Sequence, residues 1–553
     1  MTLTAPNNST LSYTYDGSLA LSETWGNGDI TGTLSLDYNN DFRVTAISVN
    51  GNPVNYQYDN DGLLTNAGDL SLTYHGQNGL LEATQLGNLS TGRTHNTFGE
   101  MASETATYNS NPLYHTFYQR DQLGRITQKA ETVGGITTTY DYRYDVVGRL
   151  VEVKQDKQAV ETYTYDDNGN RLSADTANGL VFGSYDDQDR LSQYGNATYT
   201  YTDNGELRHK DDNGQLTEYH YDVLGNLRSV QLPDGKQIEY VIDARNRRIG
   251  KKVNGVLTQA FLYQGSLNPI AELNGDGNVI SVFVYGSKAN VPDYMIKEGN
   301  TYRILSDHLG SSRLVVDISD GSVVQRMDYD AFGNVVEDSN PGFQPFGFAG
   351  GIYDLDTKLT RFGARDYDGK TGRWTAKDPI GFEEDTNFYV YVNNDPVNWV
   401  DLSGLTAEQV EAILNHIKKN FFMFSNLAAP SLDSITFTEL KENVNAQTEV
   451  SSGDLRLNQA LLTNDLSCDE LTDAYFSIMH EIMHHNDSIL QRMIDSLYYS
   501  PNHQSIHNRI EYERSGWKHY MGPMWGTHPS ESFDRAFPGK KRKEFCDLHC
   551  PSS

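Results

Sequence analysis

Three cysteines in 553 residues are too few, and the wrong number, to staple a chain of this length. Cys468, Cys546 and Cys550 all lie beyond residue 405, so the first 405 residues have no thiol at all. No disulfide framework is implied, and Cys546, His549 and Cys550 read as incidental groups on a tail rather than as a zinc knuckle. Positive charge is also scarce. Lys and Arg number 44 against 74 Asp and Glu, a net charge of -30, which argues against a chain that coats nucleic acid or an anionic membrane. No run of 18 apolar residues exists, so no membrane span is expected. The opening MTLTAPNNST has neither a basic n-region nor an apolar h-region, so no secretory signal is expected either. The chain reads as made in the cytoplasm and, if exported, carried by other machinery.

What is plentiful points to β structure. Tyr 35, Phe 21 and Gly 48 are the wrong composition for disorder despite a modest apolar fraction of 37%. Aromatic- and glycine-rich chains with many turns usually form sheets, and the length calls for at least two domains. Composition shifts near residue 405. Residues 1–405 hold 30 of the 35 Tyr and 6 of the 15 His; the remainder holds 9 His and all the Cys. Past the boundary comes TAEQVEAILNHIKKNF. Thr406 and Gln409 match a capping box there, and Val410, Ile413, Leu414 and Ile417 share a helical face.

The first part repeats. YRYDVVGRL, YTYDDNGNRL, GSYDDQDRL, YTYTDNGEL and YHYDVLGNL recur, anchored on Tyr144, Tyr165, Tyr185, Tyr201 and Tyr221. Outlying copies begin at Tyr118, Tyr240 and near Tyr329. Each unit reads as strand, Asp-x-x-Gly turn, strand. Gly124, Gly148, Gly169, Gly225 and Gly333 would supply turn conformations that cost other residues more. One ring per unit falls on the same face, so packing of Tyr on Tyr is expected between units. Such a unit cannot bury its face alone, and stacking is the remedy.

These residues closely resemble the YD repeats of the RHS family, which includes type VI secretion toxins, the C components of insecticidal Tc toxins and teneurins. The resemblance implies a mainly β fold: a YD-repeat spiral sheet wound into a shell over residues 1–360, closed by a core-associated segment at 361–405. A small, mostly α C-terminal module at 406–553 would be held inside. About 400 residues is short for such a shell, so it is expected to be small, partly open, or completed by another chain.

The segment RFGARDYDGKTGRWTAKDPIGFEEDTNFYVYVNNDPVNWVDLSGL resembles the end of the RHS core. Its two Asp-x-x-Gly units are Asp378-Pro379-Ile380-Gly381 and Asp401-Leu402-Ser403-Gly404, the second with Leu402 where the family has proline. The resemblance implies self-cleavage between Leu405 and Thr406, with Asp378 and Asp401 as catalytic carboxylates and Arg365 as their basic partner. Two close carboxylates do not both ionise easily, so one can act as acid while the other acts as base. Without the resemblance, both units would read simply as turns.

The C-terminal module carries a separate signal. In SCDELTDAYFSIMHEIMHHNDSILQRMID the apolar residues recur at helical spacing, and His480-Glu481-Ile482-Met483-His484 is HExxH. Positions i and i+4 share a helix face, so His480 and His484 can bind one Zn²⁺, with Glu481 placed as general base. His485 points elsewhere on that helix. The metzincin pattern fails, because Asp487 and Leu490 stand where it needs Gly and His. The segment PSESFDRAF resembles the second metal-binding helix of lethal-factor-like zincins and selects Glu531 as third ligand; Glu511 in NRIEYERSGW is the alternative, and His528 a weaker one. The run Gly539 to Lys543 reads as a solvated charge run.

Together these features lead to an expectation: an RHS toxin whose shell holds a zinc metalloendopeptidase and releases it by aspartyl-type self-cleavage. Its substrate would be a protein in the target cell. The resemblance implies a secretion spike or Tc-type delivery partner and an immunity protein. A metal-dependent nuclease and a non-enzymatic binding module are the rivals.

Overall fold

The computed structural model describes residues 1–5, 9–379 and 387–405 in full, with the backbones of three further strands, Ile435–Thr438, Ala446–Thr448 and Leu455–Asn458. The helix expected from Thr406, the HExxH segment with His480, Glu481 and His484, and Glu511 and Glu531 all lie outside the described residues. Two compact units are present: Met1–Gly381 with Thr386–Thr406, and Phe382–Asp385 with Ala407–Ser553. In the second, Leu455–Asn458 runs parallel to Ile435–Thr438 and antiparallel to Ala446–Thr448.

The first unit is built on a 33-stranded sheet running from Thr2–Thr4 to Val335–Asp338. Each strand pairs antiparallel with the next in sequence, from the first pair through the middle to the last. One repeat shows why. The strand Gln158–Tyr165 ends in Tyr165, the turn Asp166–Gly169 follows, and the strand Arg171–Thr176 returns. The turn is wired by its aspartate. In the unit at Asp145, Oδ1 accepts from the Val147 and Arg149 amides and Oδ2 from Arg149 Nε, while the Gly148 amide closes on the Asp145 carbonyl. The expected glycines hold φ between 79° and 96°. Where the repeat has Asp189 in the glycine position, that residue adopts φ 58°, a conformation short polar side chains tolerate. The pairing register shifts just before the anchor tyrosine, and shifts of this kind bend a strand and re-aim the side chain.

The expected packing of Tyr on Tyr is corrected. A unit spans two strands, so equivalent rings stand roughly 10 Å apart, beyond ring-stacking range. Arginine fills the gap: Arg125 lies 4.9 Å from the Tyr144 ring and Arg149 5.0 Å from the Tyr165 ring. Each phenol in turn donates to the preceding unit, Tyr144 to the Ile126 carbonyl, Tyr165 to Leu150 and Tyr185 to Arg171.

The ribbon then meets itself. Trp25 Nε1 donates to Asp243, Tyr294 donates to the Ala67 carbonyl, Tyr108 to that of Ser319, and Arg313 pairs with Glu131 at 2.7 Å. Partners are separated by 218, 227, 211 and 182 residues respectively. From Trp25–Asp243 through Ala67–Tyr294 and Tyr108–Ser319 to Glu161–Ala331 both members advance along the chain, so the second pass runs in the same sense as the first, as in a spiral and unlike a fold-back hairpin. Buried clusters fill the contact, Leu11, Trp25 and Leu34 with Phe261, Leu262 and Leu273, and Leu89 and Tyr114 with Leu314 and Val316. Among the described residues no helix is long and apolar enough to cross a membrane.

Candidate self-cleavage site

Residues 346–379 and 387–405 leave the large sheet and lie across successive repeat turns. Asn398 accepts from the Ile126 amide and donates to the Tyr144 hydroxyl. Asn394 reaches the Gly169 carbonyl, Asn387 reaches Asn168 and Asn170, and Arg373 reaches Asn170 and the Asp189 carbonyl. Tyr389 donates to Gly205, and Asp366 takes a bidentate pair from Arg248 at 2.7 and 2.8 Å. Polar contacts spread from Ile126 to Arg248 fix this segment over the repeats, most densely at Asn168–Asn170.

Within it a four-stranded sheet, whose strands include Thr360–Phe362, Arg365–Asp368 and Arg373–Trp374, carries an aromatic cluster. Phe362, Tyr367, Trp374 and Tyr391 pack there with ring centroids 4.4 to 6.2 Å apart. Arg365 rises from this cluster, 3% exposed, with its guanidinium 4.2 Å from the Trp374 ring.

The three residues expected from sequence come together here. Arg365 Nη2 lies 2.7 Å from Asp378 Oδ2 and 3.2 Å from Asp401 Oδ2, so one nitrogen serves both carboxylates. Arg365 Nε donates to the Gly404 carbonyl and Nη1 to that of Phe388. All three side chains are buried.

Asp401 also grips the chain next to the expected scissile bond. Its Oδ1 accepts from the Gly404 amide at 2.8 Å, from Ser403 Oγ at 3.0 Å and from the Leu405 amide at 3.3 Å; Ser403 Oγ itself accepts from the Leu405 amide. The Ala364 amide donates to the Ser403 carbonyl, pinning the Asp401–Leu405 turn onto the strand bearing Arg365. Gly404 sits at φ 66°, and a Cβ there would collide with the Phe362 carbonyl. The turn therefore keeps its shape without the proline that Leu402 replaces. Residues 380–386, and Thr406 on the far side of the expected scissile bond, lie outside the described residues.

Sequence reading missed Trp374, Ser403 and the Gly404 carbonyl. The dipeptide Arg373-Trp374 and the serine of Asp-Leu-Ser-Gly were visible, but nothing in their spacing tied them to Arg365.

Three other acids sit unusually. Glu161 accepts from the Tyr163 hydroxyl at 2.6 Å and from the Ala331 amide, beside Asp330. Burial and then the Glu161 charge push Asp330 up to about 8, and burial raises Glu161. Burial also pushes Asp395 up to about 7. Conversely, burial pulls His308 down to about 4, where Nε2 meets the Val397 carbonyl at 2.7 Å. Among the described residues no group of three or more His, Cys, Asp or Glu is arranged to hold a metal ion.

Comparison with known proteins agrees with this architecture. Residues 2–397 match the family described as Teneurin YD-shell. Teneurin-3 of Danio rerio is 29% identical over 396 residues, covering 67% of this chain and 14% of the relative. The tRNA3(Ser)-specific nuclease WapA of Bacillus spizizenii is 29% identical over 276 residues, 47% of this chain and 12% of that protein. Among solved structures, the TcdB2-TccC3 complex matches with a TM-score of 0.55 at 17% identity, covering 72% of this chain and 24% of that one. The chain thus spans a small fraction of each of these proteins.

Proposed function

Because the chain belongs to the teneurin YD-shell family, we propose that its repeat sheet is a toxin shell which cuts itself after Leu405 and frees the C-terminal module. The carrying observation is the single Arg365 nitrogen shared by Asp378 and Asp401, with Asp401 holding the Leu405 amide. In the proposed hydrolysis, one carboxylate takes a proton from water as the water oxygen bonds to the Leu405 carbonyl carbon. The other, protonated, gives its proton to the Thr406 nitrogen as the C–N bond breaks. A Leu405 carboxylate and a Thr406 amine result. Asp378→Asn and Asp401→Asn chains are each expected to run as one full-length band while the native chain runs as two. A native chain that stays whole would sink the reading.

For the freed module we propose a zinc metalloendopeptidase, on the strength of the HExxH spacing alone. His480, His484 and Glu531, or Glu511 in its place, would hold the ion, which when bound acidifies water and polarises a carbonyl. Glu481 would take the water's proton. Elemental analysis of the freed fragment is expected to find one zinc per chain, and Glu481→Ala to keep the metal while abolishing toxicity on expression in cells. The relation to WapA, named as a tRNA nuclease, favours a second reading of the module as a nuclease. Incubation with casein and with tRNA, each with and without chelator, separates the two. Delivery through a Tc-type partner follows from the TcdB2-TccC3 likeness, and an immunity protein would guard the producer; both belong to the same proposal, as does synthesis in the cytoplasm followed by delivery into a target cell.

A further inference from the structure

Arg365 faces an awkward demand. Its Nη2 has to stand between two carboxylates, within hydrogen-bond reach of Asp378 and Asp401 together. A guanidinium left to itself settles on one carboxylate in a bidentate fork, the arrangement Arg248 adopts with Asp366 in the same unit. Something must hold Arg365 back from that choice. The hydrogen bonds to the Gly404 and Phe388 carbonyls direct Nε and Nη1 within the guanidinium plane, and hydrogen bonds of that kind resist motion out of the plane only softly.

The face of Trp374 removes that freedom. The ring is 2% exposed, lies 4.2 Å from the guanidinium carbon, and is itself wedged by Phe362, Tyr367 and Tyr391 at 5.4 to 6.0 Å. Its backbone is fixed too, through the pairing with Tyr367 and the hydrogen bond that its amide donates to the Tyr389 carbonyl. A desolvated cation on an indole face is among the strongest contacts of its type, and phenyl is a weaker substitute. The electron-rich face also supports the positive charge on which both carboxylates depend.

We propose that Trp374 is a positioning residue of the self-cleavage site, its indole face holding the Arg365 guanidinium at the one place where a single nitrogen serves both aspartates. The proposal rests on the self-cleavage reading above and deepens it. Without the ring, Arg365 collapses onto one carboxylate, and the other loses its cation.

The test uses the full chain, pulse-labelled in cell-free synthesis and chased at pH 5 to 9, with trypsin resistance of the repeat sheet reporting folding. Trp374→Leu is expected to slow cleavage about 30-fold, the rate equivalent of about 2 kcal/mol, and to move the acid limb of the rate profile to higher pH. Trp374→Phe is expected to slow it only about 3-fold, with the limb in place, because a ring face remains. A merely structural tryptophan would lower rate or folding without moving the limb. Cleavage of a trypsin-resistant Trp374→Leu chain at the native rate, or slowing with an unmoved limb, overturns the proposal. If Trp374→Leu is trypsin-sensitive, Trp374→Phe decides: a native rate overturns the proposal, an intermediate rate supports it. Asp401→Asn run alongside keeps the two readings apart, since a cut Asp401→Asn chain overturns self-cleavage itself.

Discussion

Arg247→Met is expected to lower the stability of the repeat sheet by about 3–5 kcal/mol, the usual cost of removing one partner from a buried ionic group. Arg247 ties a late repeat turn to one of the first strands. Its side chain is 3% exposed; it pairs with Asp243 at 2.6 Å and with Glu23, donates to the Gly265 carbonyl, and lies 5.2 Å from the Trp25 ring. Methionine replaces the bulk but leaves two carboxylates buried without their cation. Arg149 holds the same place in its own unit, pairing with Asp145 at 2.7 Å, but both of its side chains are 21% exposed. Arg149→Met is therefore expected to cost only about 1 kcal/mol. Guanidinium chloride midpoints of the two variants check this, and equal losses would show that burial at the meeting of the two passes is not what matters.

Between pH 6.5 and 8 the native chain is expected to lose about 2 kcal/mol of stability, and Asp330→Asn to abolish most of that loss. Asp330 is pushed up to about 8 by burial and by Glu161, whereas an unfolded aspartate titrates near 4. Across this window the folded chain keeps a proton that the unfolded chain has already released. Stability then falls as pH rises, by up to about 1.4 kcal/mol per unit. Asp395, raised to about 7, adds to the fall at the lower end. His308 acts oppositely but at lower pH: held near 4, it loses stability as pH drops from about 6.5, since the unfolded imidazole takes up a proton that the buried one refuses. The groups facing Asp330 are Glu161, Tyr163 and Arg171, whose guanidinium lies 3.7 Å from the Phe332 ring. Denaturant titrations at pH 6.5 and 8 decide the matter; a native chain equally stable at both would refute the assignment.

Local structure was legible in the sequence where its cause is local. The Asp-x-x-Gly turns follow from an aspartate that caps its own next four residues and a glycine that accepts positive φ, both visible within one repeat. Arg365, Asp378 and Asp401 were legible only through resemblance, since 36 residues separate Arg365 from Asp401 and no periodicity joins them. The misread ring packing had a geometric source: the repeat period was plain, but the two strands it contains put equivalent tyrosines too far apart, and the arginine that some units carry four residues after the turn aspartate, as at Arg125 and Arg149, was not recognised as the filler. The contacts between passes were beyond reach, because Trp25 and Asp243 stand 218 residues apart and neither is unusual in its own neighbourhood.

The neighbour-by-neighbour pairing of the sheet also sets a timetable. Every strand of the large sheet finds its partner in the segment synthesised just before it, so the wall can grow in step with translation, while residues 346–405 emerge after that sheet and must find turns laid down up to 272 residues earlier. Arg365, Asp378 and Asp401 meet only once that search is finished. That buried trio is thus its own inspector: it comes together only on a repeat sheet that has already been laid down.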